Sequence, residues 1–279
     1  MKGSDEELAA WGFEVRHTVP LFDSRRDQVL LSADYGLLRV DTGARLPRTP
    51  EASFPEELQR LGLAASWRRE LGEGRSLAMS ARVGSASDRL FSEDSTVVSA
   101  WALTRLPDGG GAGAWILGLA YQSDRETGEL DHIPLPVVGY QRSFGRRSWM
   151  LLGIPFLAAH LESRSRVKLD LSYAPVRNVR ARLGYGLAES LDLYCAFAWE
   201  TESYRRADRD DREDRLVFCE KRLVLGLAHR WGRRFSLGLE AGWSFDRCVY
   251  EDEDYDDRKD NWLQIDDAAC ARLVLRAAF

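Results

Sequence analysis

Along the last third of the chain, apolar and polar residues alternate with a period of two, as they do in a β-strand whose successive side chains point to opposite faces. From Phe235 the odd positions are Phe235, Leu237, Leu239, Ala241, Trp243 and Phe245, and the even ones are Ser236, Gly238, Glu240, Gly242, Ser244 and Asp246. The stretch before it sets Leu223, Leu225, Leu227 and Trp231 against Val224, Gly226, Ala228 and Arg230, and the corner 231–234 joins the two. A final run sets Ala269, Ala271, Leu273, Leu275, Ala277 and Phe279 against Cys270, Arg272, Val274, Arg276 and Ala278. These runs exceed the usual strand of about five or six residues. They match the roughly ten tilted residues that cross a bilayer, with extensions on one side.

A soluble sandwich also alternates, but it would bury the apolar face in a core and put the charges outside. Here the second face mixes charges with glycines and alanines, which suits a watery lumen, while the greasy face suits lipid. The parity therefore predicts lipid contact for Leu237, Leu239, Trp243, Leu273, Leu275 and Phe279. It predicts a lumen lined by Lys168, Asp170, Arg180, Arg182, Glu200, Arg222, Arg230, Glu240, Arg272 and Arg276.

The rest of the chain reads as a meander with one decorated end. Trp11, Phe13 and Val15 alternate with Gly12, Glu14 and Arg16, and a second run follows through Val29, Leu31, Ala33, Tyr35 and Leu37. Residues 42–57 hold Pro47, Pro50 and Pro55 without periodicity and predict a long loop. Leu61 to Trp67 and Leu77 to Val83 flank the tight turn Gly72-Glu73-Gly74. Runs through Val97, Ser99, Trp101 and Leu103, then Trp115 to Tyr121, then 133–141 and 149–154, continue the alternation of long and short connections. From Val167 to Leu187 one parity runs straight through Pro175 and Asn178, which read either as a hairpin turn or as a bulge. The expectation is an all-β, antiparallel, up-and-down transmembrane barrel over 11–279 after a polar segment 1–10, with about twelve strands, or fourteen, and an even count.

The last residue, Phe279, falls in the apolar row of a strand that runs to the terminus. In this the chain resembles bacterial outer-membrane β-barrels, whose final strand commonly closes the barrel and ends in an aromatic residue read by the assembly machinery. From Trp149 onward the order of a Gly153-Ile154-Pro155 motif, a tyrosine-containing strand, a short turn and two long hairpins resembles an uncharacterised family of such barrels. The resemblance implies an outer-membrane location, membrane lipid and lipopolysaccharide as surroundings, and the barrel assembly machinery as a partner of the last strand. It implies no substrate and no catalytic residue.

Composition narrows the alternatives. Of the 279 residues, 44% are hydrophobic and 30% charged, which excludes a disordered chain. No apolar run approaches the eighteen or so residues of a spanning helix, so a membrane span must be a closed barrel. The net charge of −5 gives no argument for nucleic acid. Residues 1–10 lack the basic and apolar regions of a secretory signal, so an outer-membrane location implies a signal removed or a truncated start; the alternative is a cytosolic protein.

Candidate chemistry is sparse. Cys195 and Cys219 flank one charged loop and Cys248 and Cys270 the next, so each pair is a candidate disulfide in an oxidising compartment, with thiols as the alternative. His17, His132, His160 and His229 are scattered, and no nucleophile elbow, phosphate loop or zinc-protease motif occurs. The acidic runs 208–214 and 251–257 lack the spacing of a calcium loop and read as solvated loops that meet lipopolysaccharide through bridging divalent ions. No metal, cofactor or enzymatic activity is expected. The inward arginines read either as a salt-bridge network filling a narrow barrel or as a constriction selecting small anionic solutes. The expected role is a porin-like passive channel or a structural barrel with a charged lumen; the alternative is a barrel that holds an apolar ligand without transport.

Overall fold

The computed structural model describes residues 8–46, 53–92, 95–124, 132–145, 147–174, 178–209, 214–232, 235–252 and 262–277. They form one antiparallel sheet of sixteen strands. In order these are β1 (Leu8–Asp23), β2 (Asp27–Thr42), β3 (Glu57–Gly72), β4 (Arg75–Ser87), β5 (Thr96–Pro107), β6 (Gly113–Gln122), β7 (Leu135–Ser143) and β8 (Trp149–Ile154). They continue with β9 (Leu157–Glu162), β10 (Val167–Ala174), β11 (Asn178–Gly186), β12 (Leu191–Tyr204), β13 (Arg215–Trp231), β14 (Phe235–Asp252), β15 (Trp262–Ile265) and β16 (Ala268–Ala277).

Each strand up to β14 pairs with the next, and β15 and β16 lie one after the other along β14, so sixteen strands fill fifteen places. The sheet curls into a nearly closed barrel. The count differs from the expected twelve or fourteen for local reasons. Of the hairpin turn and the bulge open for 167–187, the structure has two strands, with β10 ending at Ala174 and β11 starting at Asn178; β9 is a six-residue strand that starts two residues after Pro155; and Asp266 and Asp267 break the last strand in two. With fifteen places, β1 and β16 both run from the long-loop end to the short-turn end. Among the described residues no ladder joins these two edges.

Contacts across the barrel identify the inner face. Arg60 on β3 reaches Glu202 on β12 at 3.8 Å, and Arg205, just past β12, pairs with Ser87 on β4. Inward residues from both walls meet at the long-loop end, where Leu8, Val40, Leu46, Phe54, Leu58, Tyr204, Leu216, Val249 and Ile265 form a buried cluster. Leu46 and Phe54, on either side of the undescribed part of the β2–β3 connection, belong to this cluster. Phe218 stands edge-on to both Phe54 and Tyr204, with ring centres 6.0 and 5.9 Å apart. Each large apolar side chain so buried contributes about 1.5–3 kcal/mol. At the long-loop end the described side chains of β1 to β3 and β12 to β15 thus pack against one another inside the barrel.

One bulge changes which residues face inward. Cys219 is opposite Cys248, while Lys221 is opposite Phe245, so β14 carries an extra residue near Asp246, whose φ is 50°. Asp267 accepts the Asp246 backbone N–H at 3.2 Å, so the break in the last strand seats the bulge. Beyond it the parity of β14 reverses: Val249 and Glu251 join the inner face, and Cys248 and Tyr250 the outer one.

Candidate functional site

The outer face is a belt of exposed apolar side chains. Leu237 lies opposite Leu275 and Leu239 opposite Leu273 across β14 and β16, with Trp243 above them opposite Ala269. Leu239 and Trp243 are 53% and 50% exposed, and Leu273 and Leu275 are 68% and 70% exposed. Similar residues ring the barrel, among them Phe13, Leu63, Leu119 and Leu183. A water-soluble monomer rarely shows contiguous apolar surface on this scale. Phe279 lies outside the described residues.

The ten residues expected to line a lumen all stand on the inner face. The registers set Asp170 opposite Arg182, Arg222 opposite Ala198, Glu200 opposite Glu220, and Glu240 opposite Arg272. Most are engaged in ion pairs. Glu200 is held between Arg180, at 2.6 Å, and Arg222, whose Nε also lies 3.2 Å from Glu220. Asp192 bridges Lys168, at 3.0 Å, and Arg230, at 3.3 Å. Asp170 lies 2.6 Å from His160 Nδ1.

A different arrangement surrounds Tyr194. Its ring lies over Gly226, where a Cβ would stand 2.3 Å from the ring, and its hydroxyl donates to Glu240 at 2.8 Å. The missing side chain at Gly226 thus makes the space through which Tyr194 reaches two strands away. The guanidinium of Arg182 stacks on the same ring, 3.6 Å from its centre. Among the described residues, Arg182, Arg272 and Arg276 make no ion pair, unlike their neighbours.

The mouth carries a second ionic layer above the apolar cluster. Buried Arg206 meets buried Glu251 at 3.0 Å, while Arg205, at 2.6 Å, and Arg215 share Asp124. The connection after β12 is tied to β4 by the Arg205 N–H donating to the Ala86 carbonyl and the Ala207 N–H donating to Asp88 Oδ1, both at 2.8 Å. This layer was not legible in the sequence, because it depends on which loops fold inward.

The candidate disulfides do not form. Cys195 lies opposite Leu225 and Cys270 opposite Gly242, each six residues along the ladder from its supposed partner's level. At about 3.3 Å per residue that is far beyond disulfide reach. The bulge at Asp246 also puts Cys248 and Cys270 on opposite faces. The register instead brings Cys219 opposite Cys248, both buried, and the structure closes no disulfide among the four cysteines.

The remaining chemistry is thin. His229 packs against Trp231 on the outer face, His132 meets Tyr121 at 3.2 Å, and His160 is bound to Asp170. Among the described residues no serine hydroxyl is bonded to His160, and no group of His, Cys, Asp and Glu is arranged to hold a metal. Much of the acidic runs, 210–213 and 253–257, and most of the polar segment 1–10 lie outside the described residues. No family model, curated protein or solved structure matches the chain.

Proposed function

We propose that the chain is a membrane-spanning β-barrel of the bacterial outer membrane, and that it works as a porin-like passive channel for small anionic solutes whose long-loop mouth is narrowed by the side chains packed inside it. The observation that carries this reading is the inversion of its two faces: Leu239, Trp243, Leu273 and Leu275 are exposed outside, while Arg180, Glu200, Arg222 and Asp192 are paired inside. Water-soluble sheets put these classes the other way round. The surplus of unpaired arginines on the inner wall favours anions over cations.

The reading places one requirement on the seam. Sheet edges are not left bare in hydrocarbon, so the β1 and β16 edges must be closed in the bilayer. Because the two strands run the same way, closing them directly on each other makes a parallel pair. Leu8 of β1 and Ile265 of β15 already share the mouth cluster.

Conductance in planar bilayers tests the channel. The wild type is expected to give rare, brief openings, and the pair Tyr204→Ala with Phe218→Ala to lengthen them by unpacking the mouth. Arg272→Gln with Arg276→Gln is expected to weaken chloride preference over potassium. Silence from both the wild type and the mouth variant rejects a channel and leaves a structural barrel.

A further inference from the structure

The register of the terminal hairpin sets two cysteines face to face. Cys219 on β13 lies directly opposite Cys248 on β14, and the two, 3% and 5% exposed, share a small outer-face cluster with Val217 and Tyr250. The bulge near Asp246 is what brings them level. Lys221 stands opposite Phe245, so without the extra residue Cys219 would meet Arg247 and Cys248 would meet Phe218. Directly opposite residues of an antiparallel ladder have Cα atoms about 4.5–5.5 Å apart, inside the span of about 4.4–6.8 Å that a disulfide bridges. Their Cβ atoms, about 4.5–5.5 Å apart in such pairs, need to close by about 1 Å to make the bond.

No other pairing of the four cysteines is within reach. Cys195 lies opposite Leu225, and Cys270 lies opposite Gly242 on the inner face, each far along the ladder from Cys219 and Cys248. The height of the pair on the barrel also matters. Two residues nearer the short-turn end, the Lys221 ammonium lies over the Trp199 ring, 4.7 Å from its centre, and beyond that row Leu223 opposite Trp243 begins the exposed apolar belt. A lysine and a tryptophan together suit the edge of a bilayer, one end of each being apolar and the other wet. The two thiols therefore stand on the watery side of that edge.

We propose that Cys219 and Cys248 form a disulfide when the protein folds in an oxidising compartment, and that the conformation described above is its dithiol form. The oxidant is a low-molecular-weight disulfide. One cysteine thiolate attacks it, making a mixed disulfide and releasing one small thiol; the other cysteine thiolate then attacks the protein sulfur of the mixed disulfide and releases the second. The protein gives up two protons and two electrons, and the small disulfide becomes two thiols. The bond fixes the register beyond the bulge, where the reversed parity sends Val249 into the mouth cluster and Glu251 to Arg206. Its formation in the cell rests on the outer-membrane reading, which supplies the compartment, whereas the choice of partners rests on the ladder alone.

The test refolds the full chain from urea into zwitterionic vesicles in a buffer of oxidised and reduced glutathione, stops exchange with acid, and maps thiols by alkylation, trypsin and mass spectrometry. The peptide 216–221 is expected joined to 248–258, with Cys195 and Cys270 alkylated. This link should outnumber every other pairing by about tenfold or more, and lose that preference when the chain is kept in urea. Cys195→Ser with Cys270→Ser should form the same link to the same extent. Four alkylated thiols in the refolded chain, or a prevailing link through Cys195 or Cys270, overturn the proposal. Reduction by dithiothreitol should lower the urea midpoint of the linked wild type and leave that of Cys248→Ser in place. A linked wild type whose midpoint ignores dithiothreitol overturns the role in register. Resistance to carbonate extraction separates the two levels. An inserted barrel with four alkylated thiols removes this inference alone, whereas the expected link in a chain that folds in buffer without lipid keeps the pairing and removes the membrane reading.

Discussion

Arg82 passes over Gly62 to hold Asp34 with both terminal nitrogens: Nη2 donates to Oδ2 at 2.8 Å, and Nη1 donates to Oδ1. Asp34 is 5% exposed, so the clamp closes over a buried carboxylate. The strand between them must leave room, and a Cβ on Gly62 would stand 2.0 Å from Arg82 Nη2. Gly62→Ala is therefore expected to push the guanidinium aside and leave Asp34 without its partner, at a cost of about 1–3 kcal/mol. Urea unfolding of the vesicle-inserted protein reads this, and an unchanged midpoint contradicts it.

The outer belt makes a sharper demand. Leu273→Arg puts a charge where the account puts acyl chains, which destabilises a spanning barrel by about 2–4 kcal/mol near the bilayer midplane. At an exposed position of a soluble protein the same change stays within about 0.5 kcal/mol. The unfolding free energy in vesicles distinguishes the two.

The mouth is expected to be the stiffest part of the structure. Leu58 is fully buried there, and Leu58→Ala should cost about 2–5 kcal/mol by leaving a cavity among Leu8, Val40 and Tyr204. Its effect should include faster hydrogen exchange at the start of β13, because that strand end is held by the same cluster. Normal protection at β13 in a destabilised variant contradicts this packing.

One short turn carries a pH dependence. Asp108 accepts the Tyr140 hydroxyl at 2.6 Å and the Gly110 N–H at 2.9 Å, and these bonds, the phenol's above all, hold its carboxyl below the usual range. A lowered folded value means the contribution is complete above the unfolded carboxylate's pKa of about 4 and fades as pH falls through the folded value. Asp108→Asn should narrow the stability gap to wild type in acid and leave it constant near neutrality. A gap that instead widens in acid contradicts this.

The long terminal hairpins were legible because a single period-two row persists through β13, β14 and β16, and the parity of Leu239 against Glu240 needed no other information. Where that regularity breaks, the sequence misleads. The extra residue at Asp246 reverses the faces beyond it, so Cys248 could not be placed by counting from Trp243. In β5 the bulky row of Trp101 and Leu103 faces inward and the alanines Ala100 and Ala102 face out, the opposite of what bulk alone implies. Short β9 after Pro155 has too few residues to show a period. The ionic layer of Arg206 and Glu251 joins residues far apart in sequence, which no local pattern encodes.

The most direct test follows the alternation itself. In a variant whose four native cysteines are replaced by serine, single cysteines placed at 237 to 240 and at 272 to 275, each labelled with an environment-sensitive dye in vesicles, can be quenched from the lipid by doxyl chains or from water by iodide. The account predicts doxyl quenching at 237, 239, 273 and 275 and iodide quenching at 238, 240, 272 and 274, position by position. Doxyl quenching at none of them, with a monomer that stays folded in buffer without detergent, contradicts it.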